Sequence, residues 1–182
     1  MRDLRFTAAA PGFPRSLLMP SVASLAMLWL WIRAPAVGWV GGLALMAVGL
    51  CAWTLLEYLL HRLMLHRVEP FKGWHLQHHL HPDVPMRTPV MFSLMLILPV
   101  AFLPILLHTH MGLAAAFSGG LLVGHLLQEI VHHRLHMPTH PASPWLATRW
   151  RDHDLHHHHD EHVAYGTLTG FWDGVCRTSV VR

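Results

Sequence analysis

The sequence predicts an all-α integral membrane protein with four transmembrane helices and a histidine-rich cap on the cytosolic side. Three observations predict it. Only 13% of the residues are Asp, Glu, Lys or Arg while 53% are hydrophobic, and a soluble domain carries about 25% charged residues. The apolar residues gather in four long runs that contain no acid, lysine or arginine. Of the 19 histidines, 17 fall in two windows, 61–81 and 125–162, next to those runs.

The runs are read as spans at about 16–32 (SLLMPSVASLAMLWLWI), 36–56 (AVGWVGGLALMAVGLCAWTLL), 89–107 (PVMFSLMLILPVAFLPILL) and 111–127 (MGLAAAFSGGLLVGHLL). A helix crossing the hydrocarbon needs about 20 largely apolar residues. Four such runs leave too little polar chain to cover them in a soluble core. The chain therefore reads as one membrane-embedded domain, 1–182, with the cap drawn from 57–88 and 128–182. Pro99 and Pro104 predict bends in the third run, because proline removes a helical hydrogen bond.

Four spans put the N-terminus, the 57–88 segment and the C-terminal tail on one side. That side holds 12 of the 13 Lys and Arg residues, and the other holds only Arg33. The asymmetry predicts a cytoplasmic cap. The net charge of +3 follows from this bias and gives no nucleic-acid footprint. Residues 1–15, the first apolar run and APA at 34–36 imitate a secretory leader. The length of the run and Arg33 favour an uncleaved span. Cys51 and Cys176 form no CxxC motif, so neither a disulfide framework nor a cysteine metal site is predicted.

The histidines carry the chemistry. EYLLHRLMLH holds His61 and His66, HLQHH holds His75, His78 and His79, HHRLH holds His132 and His136, and HDLHH holds His153, His156 and His157. Residues three and four apart share a helix face, so each H-x2-HH triplet can converge. His61 and His66 are five apart, about 140° around an α-helix. They either serve two metals or lie where the helix ends. Imidazole is the commonest metal ligand near neutral pH, and ten imidazoles exceed one ion's needs, so two nearby ions are expected. Metal-bound histidines usually donate their other N–H to a carboxylate or carbonyl. Glu57 and Glu129 interrupt apolar sequence at the membrane edge, where charge is costly, and are expected as such partners. Asp152 and Asp160 are further candidates, with water as their alternative surroundings. His81, His125, His133, His140, His158, His159 and His162 are read as supporting or solvated residues, His158 and His159 as solvated.

These motifs, with HLQHHLHPDVPMRTP, GHLLQEIVHHRLH and the tail YGTLTGFWDGVCRT, resemble the fatty acid hydroxylase family, or sterol desaturase superfamily, of membrane non-haem di-iron enzymes. The tail, with Tyr165-Gly166 and Trp172-Asp173, resembles the lipid 2-hydroxylase branch. The resemblance implies that the ten histidines ligate two iron ions, with zinc able to substitute during purification. It implies oxygen-dependent hydroxylation of a fatty acid or ceramide-type acyl chain, with O2 as co-substrate. It also implies a membrane lipid substrate and a separate electron donor, a b-type cytochrome or a ferredoxin with its reductase. No electron-carrier domain is expected ahead of the first span. The membrane is the plasma (inner) membrane in a bacterium or the endoplasmic reticulum in a eukaryote. The alternatives are a lipid, sterol or carotenoid desaturase or hydroxylase of the same superfamily and, in another class, a histidine-rich metal transporter or sensor. Two departures stand out: only eight residues separate His66 from His75, and His133 and His158 occupy places where aromatic residues are expected. Small residues in SGGLLVG either leave room for an acyl chain or pack helices closely. Arg87 is read as an interfacial anchor or a lipid head-group contact.

Overall fold

The computed structural model describes residues 13–82, 90–137 and 143–180. Arg87 and His140 lie outside these residues. The described chain is all helical, with no strand. The helices are α1 (Phe13–Arg33), α2 (Trp39–Leu59), α3 (Phe71–Leu80), α4 (Val90–Ile97), α5 (Leu103–His108), α6 (Met111–Leu135), α7 (Pro144–His158) and α8 (Phe171–Val175). Two wider π-helical segments, Leu60–Leu65 and Leu98–Phe102, continue α2 and join α4 to α5.

Of the four runs, two form helices long and apolar enough to cross a membrane among the described residues: Trp39–Leu65 and Met111–Leu135. The other two give shorter apolar helices, Leu17–Arg33 and Met95–His108. The expectation of four uniform spans is corrected accordingly. Proline explains the third run. Pro99 and Pro104 each occupy the first turn of a new segment, the π-helical Leu98–Phe102 and α5. Each segment follows directly on helical residues, so each proline removes a helical hydrogen bond, and the helix changes its winding there.

α6 is the central helix. About 61% of its apolar window is buried inside the protein, against 22% for the α2 window. Its small residues account for this. A Cβ on Gly120 would meet the Met46 carbonyl oxygen at 2.0 Å, and one on Gly49 the Phe117 carbonyl oxygen at 2.1 Å. α2 and α6 therefore touch backbone to backbone, and Gly124 seats the Trp53 ring in the same way. The small residues of SGGLLVG pack helices. The contacts 49 to 117 and 53 to 124 advance together, so α2 and α6 run parallel. α1 runs antiparallel to α6, with Met27 against Gly119 and Ala34 against Gly112. Met27, Trp31, Trp53, Ile97, Leu121 and Leu122 form the core of this layer. Val40, Leu43, Val48, Met95, Val100 and Leu107 leave apolar surface outward.

The cap covers the end where α2 and α6 finish. α7 starts at Ser143, whose hydroxyl accepts the Leu146 N–H at 3.2 Å, with Pro144 in its first turn. The tail returns to α2 through Trp172, whose indole N–H donates to Thr54 Oγ1 at 3.0 Å.

Gly120→Ala is expected to force α2 from α6 and destabilise the protein by about 1–3 kcal/mol. Gly174→Ala, where a Cβ meets only Ser179 Oγ at 3.9 Å, is expected to change stability by no more than about 0.5 kcal/mol. Thermal melting of the two variants in one detergent compares them.

Candidate metal centre

The structure gathers all ten predicted histidines into two groups of five. His61, His66, His75, His79 and His156 form the first; His78, His132, His136, His153 and His157 form the second. Within each group, every ring offers a nitrogen within 4.8 Å of the others.

The segment Leu60–Leu65 resolves the five-residue spacing. On an α-helix His61 and His66 would point apart, but a π turn bonds i to i+5. The wider turn brings the two rings to 5.1 Å between centroids, in the same group. Of the two open readings of that spacing, the helix end holds: the helical segment closes at Leu65 with His66 as its C-cap, and both rings join one group, not two.

The triplets behave differently from expectation. Each H-x2-HH splits between the groups instead of converging. Adjacent residues on an α-helix point about 100° apart, so the outer pair, four apart, shares a face and the middle histidine leaves it. α3 sends His75 and His79 to the first group and His78 to the second. α7 does the reverse, sending His153 and His157 to the second and His156 to the first. The end of α2 supplies His61 and His66, and the end of α6 supplies His132 and His136. The site is thus built twice, with α2 and α3 exchanging roles with α6 and α7.

Ring nitrogens face ring nitrogens. Nε2 of His75 lies 2.9 Å from Nε2 of His61 and 3.0 Å from Nε2 of His79. Nε2 of His132 lies 3.2 Å from Nε2 of both His78 and His136, and Nε2 of His136 lies 3.0 Å from Nε2 of His153. Nε2 of His66 lies 3.1 Å from Nε2 of His156. A neutral imidazole has one N–H and one lone pair. The Nδ1–H of His61 donates to the Tyr165 carbonyl at 2.6 Å, and that of His156 to the Val163 carbonyl at 2.7 Å. Both Nε2 lone pairs then point inward. Burial and neighbouring imidazoles lower His78 to about 3 and His66 and His79 to about 4. Burial also takes His156 to about 4 against the Val163 bond, and holds His75, His136, His153 and His157 below the usual range. At neutral pH the rings are lone-pair donors. Nδ1 of His75 and His78 and both nitrogens of His157 are buried without a hydrogen-bond partner among the described residues. Converging neutral lone pairs and orphaned buried nitrogens are what a bound cation satisfies, so the donor set fits two metal ions.

The four candidate carboxylates take different places. Glu57 reaches the tail backbone: its Oε1 accepts the N–H of Thr167 at 2.5 Å and of Leu168 at 3.2 Å. Glu129 is half-buried and has no hydrogen bond to a histidine among the described residues. Asp152 is buried, not solvated, and pairs with Arg149 at 2.5 Å. Asp160 is exposed and accepts the His162 N–H at 2.9 Å. For His61 and His156, backbone carbonyls of the tail take the place expected of acids. A sequence pattern carries no signal for a carbonyl, since every residue has one. Outside both groups, His81, His158, His159 and His162 are exposed, His133 is half-buried, and His125 is buried in α6 against Trp53.

Residues 46–178 match the family model for fatty acid hydroxylases. The chain belongs to the fatty acid hydroxylase family. It is similar to dihydroceramide fatty acyl 2-hydroxylase FAH2 of Arabidopsis thaliana, 33% identical over 144 residues, covering 74% of this chain and 60% of that protein. It is also similar to fatty acid 2-hydroxylase of Rattus norvegicus, 31% identical over 152 residues, covering 72% of this chain and 38% of that protein. A solved structure of full-length scs7p, in which only the hydroxylase domain is visible, superposes with a TM-score of 0.65 and 26% identity, over 93% of this chain and 64% of that one. The chain spans less than two thirds of the length of these curated relatives.

His61→Ala and His156→Ala are each expected to lower the metal content of the purified protein, while His158→Ala and His159→Ala leave it near wild type. Elemental analysis of the four variants measures this, and equal loss at all four would refute the assignment. Acid is expected to weaken the metal-free cap. The unfolded chain protonates its histidines near pH 6.5, whereas the folded rings of His66, His79 and His156 resist to about 4. The stability these groups contribute is present above about pH 6.5 and is lost as pH falls towards 4. Melting of chelator-treated protein at pH 7.5 and pH 5 should give the lower midpoint at pH 5.

Proposed function

We propose that this chain binds two metal ions, one in each histidine group, and with iron in both positions hydroxylates the acyl chain of a membrane lipid. The observation that carries the proposal is the paired sets of five neutral imidazoles, seated where two apolar helices end, in a chain of this family. The names of the relatives point to the substrate: a dihydroceramide fatty acyl group in one, a fatty acid in the other.

Imidazole suits iron, copper, nickel and zinc, and zinc has no redox chemistry. Iron in both groups would supply the activation of O2 that an unreactive C–H bond demands. Overall, R–H, O2, two electrons and two protons give R–OH and water, so a separate donor must deliver the electrons. The protein supplies position and exclusion of water. His61, His75, His78, His153 and His156 are buried. The tail carbonyls of Tyr165 and Val163 hold two rings with their lone pairs inward. The apolar outer face of α2, through Val40, Leu43 and Val48, lies open for a lipid beside the helices that end in the site.

In this reading residues 1–182 form a single membrane-embedded domain. The histidine end faces the cytoplasm, in keeping with the bias of Lys and Arg to that end and the place of Arg33 at the close of α1.

Lipid mass spectrometry tests the reaction. Cells expressing the chain are expected to accumulate lipids with one added oxygen, and cells expressing His156→Ala with His157→Ala are not. Fragmentation places the hydroxyl. Loss of two hydrogens instead would make the chain a desaturase.

A further inference from the structure

We propose that Glu57 and Asp173 are positioning residues that tune the first histidine group selectively by clamping the backbone of residues 163–168. The inference rests on the reading of the two groups as metal positions.

The segment Val163–Leu168 runs over the first group as a strap. Its carbonyls reach inward, Val163 to His156 Nδ1 and Tyr165 to His61 Nδ1. Both histidines belong to the first group, and the strap makes no such bond to a member of the second among the described residues. Its N–H groups reach the other way, to two buried carboxylates. Asp173 Oδ1 accepts the Tyr165 N–H at 2.9 Å and Oδ2 the Gly166 N–H at 3.0 Å. Glu57 Oε1 accepts the N–H groups of Thr167 and Leu168. Four consecutive N–H groups are thus held by two acids that are 3% and 2% exposed.

The clamp is braced on both sides. The Thr178 hydroxyl donates to Asp173 Oδ1 at 2.8 Å and lies 3.0 Å from the Tyr58 hydroxyl. Arg62 donates to the Tyr58 oxygen at 2.7 Å. Tyr58 and Arg62 flank His61 on the same helix, so the anchor and the histidine share one rigid element. Arg149 donates to the Gly166 carbonyl at 3.3 Å. At the start of the strap Ala164 has φ of 55°, a left-handed conformation costly for a residue with a Cβ. The surrounding bonds hold it there, with the Ala164 N–H donated to the Thr178 carbonyl at 2.8 Å.

An imidazole that donates Nδ1–H to a fixed carbonyl keeps one tautomer and one ring orientation. Loosening the strap would free the rings of His61 and His156 while leaving His132, His136, His153 and His157 on α6 and α7 undisturbed. The two metal positions should therefore respond unequally to changes in the tail.

The test uses the full chain in detergent, titrated with Zn(II) or Co(II) after chelation, with stoichiometry and affinity read by elemental analysis and Co(II) absorption. Wild type is expected to bind two equivalents; failure to do so would overturn the metal reading itself. Asp173→Asn and Glu57→Gln are each expected to weaken one equivalent by about 10–100-fold, the usual scale for an outer partner of a ligand, and to spare the other. Backgrounds lacking one group assign the effect. With His132→Ala, Asp173→Asn should weaken the remaining equivalent; with His66→Ala it should not. Equal weakening of both equivalents in a protein that melts like wild type, or no weakening of either, would overturn the inference. Thr178→Val, which removes a single hydroxyl from the Asp173 carboxylate, carries the same test should Asp173→Asn fail to fold.

Discussion

The cap depends on one constraint, the burial of neutral imidazoles whose lone pairs face one another. Each ring has one N–H to give, and His75, His132 and His136 each confront two ring nitrogens. His61 and His156 have already given theirs to the backbone. Left unmatched, such nitrogens cost about 1–3 kcal/mol each. Protonation, the ordinary remedy, is blocked by burial and by the neighbouring rings. A cation in each group removes the conflict with a single particle. The same burial that makes the metal-free cap strained gives it its metal-binding character.

The alternation of the triplets ties the two groups together. Because α3 and α7 each contribute to both, neither group is complete until both helices are docked against the ends of α2 and α6. A cap built this way assembles as one unit. Its two halves still differ in support: the first group hangs from the tail through Val163 and Tyr165, whereas every ligand candidate of the second except His78 stands on α6, its C-cap His136, or α7. Position in the chain thus gives two chemically similar groups unequal stiffness.

Much of this was legible in the sequence. The ten histidines, their four motifs and the helical class follow from spacing and composition, because a shared helix face is a property of sequence separation. The pairing of histidines into groups was not legible. It depends on how α3 and α7 are rotated against the other helices, and on a π turn at Leu60–Leu65 that no residue type announces. The roles of Glu57 and Asp173 were hidden for a related reason: they bind backbone N–H groups 110 and 8 residues away. The inward turn of Asp152 was hidden too, because it depends on Arg149, one turn earlier, turning inward with it.

The parallel course of α2 and α6 explains why the broken third run belongs to the same design. Both helices end at the histidines, so the chain must return from that end to the start of α6. Val90–His108 makes the return as α4, a π turn and α5. A return path carries no ligand and needs only length and an apolar surface, which the exposed Met95, Val100 and Leu107 supply. It can therefore tolerate Pro99 and Pro104. α2 and α6 cannot tolerate such breaks, because a kink in either would shift a histidine pair relative to its partners. Neither α2 nor α6 contains a proline.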